Sequence, residues 1–183
     1  MRILGIAGSL RQGSYNKALL RAAIEVAPSG VHIDVFDLAG IPGFNEDEER
    51  EPPQKVVEFK QRIREADGIL IATPEYNYSI PGVLKNAIDW ASRPYGDSAW
   101  NGKRVAIMGA SVGMLGTARA QYHLRQSFVF LNMHAMNQPE VMVPFAASKV
   151  DDNGRITDQQ TLDIVTRFMA AFVTWCRTGV EAA

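Results

Sequence analysis

Apolar residues in this chain fall into short, nearly unbroken runs, separated by longer stretches in which they recur every three or four positions. Arg2 to Ala7 is one such run, closed by Gly8-Ser9, and Lys17 to Ile24 follows with helical spacing. This order reads as strand, loop, helix. Residues Val31 to Phe36 alternate instead, which predicts a strand with one wetter face near a sheet edge. A helix is expected after Pro52-Pro53, since proline is tolerated in a first turn, with Val56, Val57, Phe59 and Ile63 as its apolar face. Asp67 to Thr73 is hydrophobic almost throughout, the pattern of a central parallel strand covered on both faces.

Beyond Pro74, a helix starts near Pro81 and carries Val83, Leu84, Ala87, Ile88 and Ala91 at helical spacing. Lys103 to Ala110 reads as a fourth strand and Thr117 to Phe130 as a helix, although Phe128 to Leu131 also resembles a strand. Glu140 to Val143 is expected as a short fifth strand, and Thr161 to Arg177 as a last amphipathic helix. Five strands alternating with five helices, joined by right-handed crossovers, predict a doubly wound α/β sandwich over one domain, residues 1–183. The longest excursion, Asp37 to Pro53, contains the acidic stretch Asn45 to Glu51, expected as a solvated loop.

Composition narrows the functional classes. The 183 residues carry 19 basic and 20 acidic side chains, a balance that excludes a nucleic-acid partner held by bulk positive charge. Cys176 is the single cysteine, so no internal disulfide forms and a cysteine-ligated metal centre needs ligands from elsewhere. Gly8 and Arg11 interrupt the first apolar run too early for a membrane span, and no signal-peptide pattern follows. The expectation is a cytoplasmic protein without a membrane partner.

In open α/β sheets, ligands bind beyond the carboxyl ends of the strands, where the strand order reverses. The unusual polar segments here follow the first, third and fourth strands. Gly8 to Asn16 combines turn-forming glycines, the hydroxyls of Ser9 and Ser14, the Asn16 amide, Arg11 and the free N–H groups of a helix start. That set fits a phosphate cradle, while a Ser- and Gly-rich helix cap with a solvent-facing Arg11 remains the plainer reading. Pro74 to Gly82 offers a stiff turn, backbone amides and the rings of Tyr76 and Tyr78, which suit a flat heterocycle or simple packing. Gly109 to Gly116 places little bulk after the fourth strand, letting a ring edge approach near Ser111 and Gly113. Gly109 to Gly113 also matches the G-x-S-x-G nucleophile elbow, but the later acid and histidine that a serine hydrolase requires do not follow in order.

GSLRQGSYN at Gly8 to Asn16, PEYNYSIPGVLKNAIDW at Pro74 to Trp90 and GASVGMLG at Gly109 to Gly116 together resemble the NAD(P)H-dependent FMN reductase family of flavodoxin-like proteins, in particular its bacterial quinone and chromate reductase branch. The resemblance implies a three-layer α/β/α sandwich with a five-stranded parallel sheet in the order 2-1-3-4-5. It implies FMN as cofactor and NADPH or NADH as hydride donor. It assigns the FMN phosphate to Ser9, Arg11, Ser14 and Asn16 with Tyr15 beside them, and the ribityl chain and ring to Pro74, Glu75, Tyr76 and Asn77. Ser111 and Gly113 form the opposite border. It further implies a homodimer or homotetramer, with Asn86, Asp89, Trp90 and Arg93 as interface candidates; Glu75 is read as organising its loop or as contacting another subunit, with Arg125 the other candidate for such a contact.

On this reading flavin N5 carries the redox chemistry and no side chain acts as nucleophile or metal ligand. Backbone N–H groups around Tyr76 and Asn77 are expected to face the pole of the ring that gains negative charge. The acceptor is a small molecule, a quinone first, with chromate, azo and nitroaromatic compounds as alternatives. The competing function is a flavodoxin-like one-electron carrier working with a protein partner. His32, His123 and His134 form no metal spacing, and Cys176 and the methionines read as packing residues. Arg119, Arg125 and Lys149 are candidates for steering an anion.

Overall fold

A computed structural model describes residues 1–178. Along the chain run β1 (Arg2–Ala7), α1 (Tyr15–Glu25), β2 (His32–Phe36), α2 (Gln54–Glu65), β3 (Gly68–Ala72) and α3 (Gly82–Ala91). They are followed by β4 (Arg104–Ala110), α4 (Ala118–Leu131), β5 (His134–Ala135), β6 (Val141–Val143) and α5 (Gln159–Thr178). All strand pairs are parallel, in the order β2-β1-β3-β4-β5, with β6 also paired to β4.

The central strands alternate between two cores. Leu4 and Ile6 of β1, Ile69 and Ile71 of β3, and Val105 and Ile107 of β4 pack with Phe59, Leu84, Ile88, Leu124 and Phe128 from α2, α3 and α4. Ile3, Leu70, Ala72, Ala106 and Met108 pack on the other face with Leu19 and Leu20 of α1 and Val165, Phe168 and Phe172 of α5. Each strand residue thus buries its side chain under one helical layer or the other, which is why β3 reads as continuous hydrophobe. β2 lies at the sheet edge, and the alternation does not hold to its end: Val35, on the apolar side with Val31 and Ile33, is 51% exposed, while Phe36, on the side of His32 and Asp34, is buried.

The fifth position differs from expectation in one respect. Two short strands share it: β5 pairs with Arg104 and Val105, and β6 with Met108 to Ala110. Pro139 lies between them and has no N–H to give the ladder. In α4, Phe128 and Leu131 are buried while Val129 and Phe130 are 83% and 78% exposed, a three-residue spacing that settles the ambiguous run as helix.

The acidic excursion is only partly solvated. It contains a short 3-10 turn, Glu46–Glu48, and folds back along α3. Asn86 donates to the Pro42 carbonyl and accepts from the Phe44 N–H, the Trp90 indole donates to the same carbonyl, and Arg93 pairs with Glu46 and Glu49. Asp89 is paired with Lys85 one helical turn back. The four residues expected at a subunit contact are therefore engaged within the chain. On α2, the buried Lys60 donates to the Arg93 carbonyl and to Asp97, 2.7 Å away, tying the lower ends of α2 and α3 together.

Candidate functional site

The carboxyl ends of β1, β3 and β4 open into three loops that converge on one cleft. The first loop starts where the Gly8 N–H extends the ladder to the Ala72 carbonyl. Ser14 then caps α1: its hydroxyl oxygen accepts from the N–H groups of Asn16 and Lys17 at 3.3 and 3.4 Å. The Ser9 hydroxyl accepts from the Arg11 N–H at 3.3 Å. Both serines are buried, and neither hydroxyl proton has an acceptor among the described residues.

The backbone N–H groups of Leu10, Gln12 and Gly13 are likewise without acceptors among those residues. No acidic side chain occupies the first turn of α1, so the positive end of the helix is left uncompensated. Arg11 lies exposed over the Tyr15 ring, 4.9 Å from its centre, and pairs with no carboxylate among the described residues. Two buried hydroxyl donors, free amides, a helix start and an unpaired guanidinium make a donor set that fits a phosphate dianion.

Asn16 is different. Its side-chain oxygen accepts from the Ala110 N–H and its amide donates to the Ala110 carbonyl, both at 2.9 Å. It is a buried tie between α1 and the end of β4, with one amide hydrogen left to donate.

The second loop is a two-residue hairpin. Tyr76 and Ser79 exchange backbone hydrogen bonds of 3.2 and 3.0 Å, and Asn77 and Tyr78 take left-handed conformations with φ of 51° and 64°. The Tyr76 N–H is therefore spent, and the amides at this tip without an acceptor among the described residues are those of Asn77 and Tyr78. Helix α4 holds the hairpin from behind. One carboxylate oxygen of Glu75 accepts from the N–H groups of Arg119 and Ala120 at 3.0 and 3.2 Å, and the other accepts from the Arg119 guanidinium at 3.1 Å. The same guanidinium lies 3.8 Å from the centre of the Tyr78 ring, and His123 Nδ1 is 3.0 Å from the Ser79 hydroxyl. Glu75 thus supplies the negative charge at the start of α4, which has none of its own there.

The third loop depends on Gly109. A Cβ at this position would sit 1.8 Å from Thr117 Oγ1 and 2.6 Å from the Thr73 carbonyl oxygen, so only glycine lets β4 run between the two neighbouring turns. Gly113 meets no such demand, since a Cβ there would meet only Ser111 Oγ, at 3.9 Å. The Ser111 hydroxyl donates to the Gly113 carbonyl at 3.3 Å, a bond with no resemblance to a nucleophile held by a base.

Ser9, Arg11, Ser14, Tyr15, Asn16, Pro74, Glu75, Tyr76 and Ser111 all line one cleft of about 180 Å³, together with Ala110 and Val112. Asn77 and Gly113 are outside its lining. Sequence reasoning passed over Ala110, whose backbone carries the contact to Asn16, and Val112, which is 63% exposed and has no signal in its residue type. A larger cleft of about 220 Å³ lies between α1 and β2, lined by Leu20, Ile24, Val35 and Phe36. Its two cations already face carbonyls, Lys17 that of Leu10 and Arg21 that of Gly154, so its donor chemistry is poorer.

The cations considered for steering have internal partners. Arg119 holds Glu75, Arg125 donates to Asn137 and to the Met136 carbonyl, and Lys149 pairs with Asp158. Burial pushes the Cys176 thiol up to about 12, which removes the reactive thiolate at neutral pH. Among the described residues no group of histidine, cysteine or acidic side chains is placed to hold a metal, and no helix is long and apolar enough to cross a membrane.

Comparison with known proteins gives the same direction. The family model for NADPH-dependent FMN reductase matches residues 1–148. An NAD(P)H-dependent FMN reductase of Pseudomonas aeruginosa is 51% identical over 178 residues, covering 97% of this chain and 96% of its own length. A 2-hydroxy-1,4-benzoquinone reductase of Burkholderia sp is 46% identical over 177 residues, 97% of each chain. Among solved structures, the flavoenzyme NAD(P)H:(acceptor) oxidoreductase of Paracoccus denitrificans superposes with a TM-score of 0.88 at 35% identity, covering 96% of this chain and 97% of that one.

Proposed function

The chain belongs to the NADPH-dependent FMN reductase family, and from that premise we propose that it is a single-domain, FMN-containing oxidoreductase that passes electrons from NADPH or NADH to a small quinone. The observation that carries the reading is the set of unspent donors at the start of α1, opening into the cleft between the three loops. When bound, FMN would supply the redox chemistry, and the protein would supply binding, orientation and electrostatics.

The chain's own residues bind and orient. Ser9 and Ser14 would donate hydroxyl hydrogen bonds to the phosphate, Arg11 would add a charge-assisted bond, and the α1 dipole would favour the dianion. Asn16 acts chiefly by fixing α1 to β4, so that this cradle and the Ser111 loop keep a constant separation. Pro74 and Tyr76 would border the ring on one side and Ser111 on the other, with Gly113 just outside the cleft. The Asn77 N–H at the hairpin tip, just outside the cleft, would be available to the pole of the ring that gains negative charge. Glu75 serves the ring indirectly, as the anchor of the hairpin on α4.

The quinone assignment is supported by relatives named quinone reductase in Pseudomonas putida and Escherichia coli, 43% and 44% identical over 94% of this chain. Val112, Met114, Leu115 and Phe145 form an exposed apolar face beside the cleft, which suits a homodimer or homotetramer. Anaerobic mixing of the FMN-loaded protein with NADPH or NADH, then with a benzoquinone, tests the activity. Rapid two-electron bleaching and full recovery on quinone addition are expected. A fully loaded protein that neither nicotinamide reduces contradicts the reading and favours the electron-carrier alternative.

A further inference from the structure

Asparagine is followed by glycine twice in the chain, at Asn101-Gly102 and at Asn153-Gly154. Glycine leaves the backbone nitrogen after an asparagine unhindered, and once deprotonated that nitrogen can attack the asparagine side-chain carbonyl carbon. The fold holds the two steps very differently.

At Asn101-Gly102 both reacting groups are occupied, and by one residue. The Asn101 side-chain oxygen accepts from the Asn132 amide at 2.7 Å, and the Gly102 N–H donates to the Asn132 carbonyl at 2.9 Å. Asn132 closes α4 in a left-handed conformation, and the neighbouring Lys103 N–H donates to the carbonyl of the buried Trp100 just before β4 begins. Freeing this step therefore means opening the packed junction between α4 and β4.

Asn153-Gly154 lies instead in a surface turn whose two arms meet at Val150 and Ile156. Asp151, Asp152 and Asn153 are exposed, and the Asn153 side-chain amide has no hydrogen-bond partner among the described residues. The attacking nitrogen is restrained only within the turn, where the Gly154 N–H donates to the Asp151 carbonyl at 2.9 Å. Contact with the body of the protein comes from Arg21 of α1, which donates to the Gly154 carbonyl at 2.6 Å and leaves the reacting nitrogen alone. Local opening of this turn is enough to free both groups.

We propose that Asn153 is a site of self-modification, at which the folded chain converts its own asparagine to aspartate and isoaspartate with water as the only co-reactant. The Gly154 nitrogen loses its proton to solvent and bonds to the Asn153 side-chain carbonyl carbon. The bond from that carbon to the amide nitrogen breaks, and the nitrogen takes up a proton and leaves as ammonia. Water then opens the cyclic imide at either carbonyl, giving aspartate in the original backbone or isoaspartate with the backbone rerouted through the side chain. Nothing is oxidised or reduced. Both products put a new negative charge in the turn that Arg21 ties to α1, and isoaspartate also lengthens that turn.

Storage of the folded, full-length protein at mildly alkaline pH, with peptide mass mapping at intervals, tests it. Conversion of amide to acid is expected at least about tenfold faster at Asn153 than at Asn101, because a surface turn opens more readily than a packed junction. In urea the two rates should come within about twofold of each other, since both steps then lie in an open chain. Asn153→Gln should abolish the conversion in that peptide, because the imide it would have to form is larger and closes slowly. Three results overturn the proposal: conversion at Asn101 as fast as at Asn153 in the folded protein; an intact Asn153 after a period in which the unfolded chain converts; or a mass gain in that peptide that survives Asn153→Gln. None of these bears on whether FMN binds.

Discussion

Replacing Glu75 by Gln preserves the shape of the side chain that anchors the Tyr76–Ser79 hairpin on α4 and removes only its charge. In the native arrangement one oxygen takes the N–H groups of Arg119 and Ala120, and the other takes the Arg119 guanidinium at 3.1 Å. A glutamine oxygen can keep the two amides, but its NH₂ group then faces the guanidinium, donor against donor. A hydrogen bond to a charged group is worth about 1.5 to 3 kcal/mol. Arg119 is 41% exposed against 11% for Glu75, so solvent screening brings the loss down to about 1 kcal/mol. Loss of the carboxylate from the start of α4, in a partly buried setting, adds about 1 kcal/mol. The expected destabilisation is therefore about 2 kcal/mol, with Glu75→Ala costlier because the two amides also lose their acceptor. Urea unfolding of the flavin-free protein measures it, and the midpoint should fall with an unchanged slope. A Gln variant within about 0.5 kcal/mol of the parent, the ordinary range for a surface change, would refute the anchoring role.

Arg11→Ala should weaken FMN binding by about ten- to a hundredfold through loss of a charge-assisted bond, read by quenching of flavin fluorescence; unchanged affinity removes Arg11 from the cradle. Asn16→Ala strands the Ala110 N–H and carbonyl in a buried setting and should cost about 2 to 4 kcal/mol in chemical denaturation, whereas a cost near zero would mean that the tie does not hold α1 to β4. The Cys176 thiol, raised by burial from 9.0 to about 12, should resist alkylation in the folded protein at pH 8 and react once the chain is unfolded. Because the folded value lies above the unfolded one, its contribution to stability is complete below about pH 9 and declines as pH rises further toward the folded value; unfolding midpoints that stay level across that window count against the burial.

The fold was legible where burial imposes a short period. The unbroken run Gly68 to Ala72 can be nothing but an inner strand, and Ile69 and Leu70 do serve opposite cores. His134-Ala135 carries no such signal, because two residues cannot show alternation, so the first half of the fifth position was invisible. Within the site, the residue types of the three loops foretold their convergence, since turn glycines, hydroxyls and a helix start are local features. The internal commitments of those residues were not foretold. Glu75 reaches α4 across 44 residues and Asn16 reaches Ala110 across 94, pairings that only the closed sheet creates. The same holds for Trp90 and Arg93, whose partners within the chain come from the excursion before α2.

The phosphate cradle proposed at α1 is tested most directly by calorimetric titration of the flavin-free protein with FMN and, separately, with riboflavin, which shares the ring and lacks the phosphate. FMN should bind at least about a hundredfold more tightly, and Arg11→Ala should narrow that gap while leaving riboflavin affinity where it was. Equal affinities for the two flavins would contradict the assignment of the Ser9, Arg11 and Ser14 donors to a phosphate.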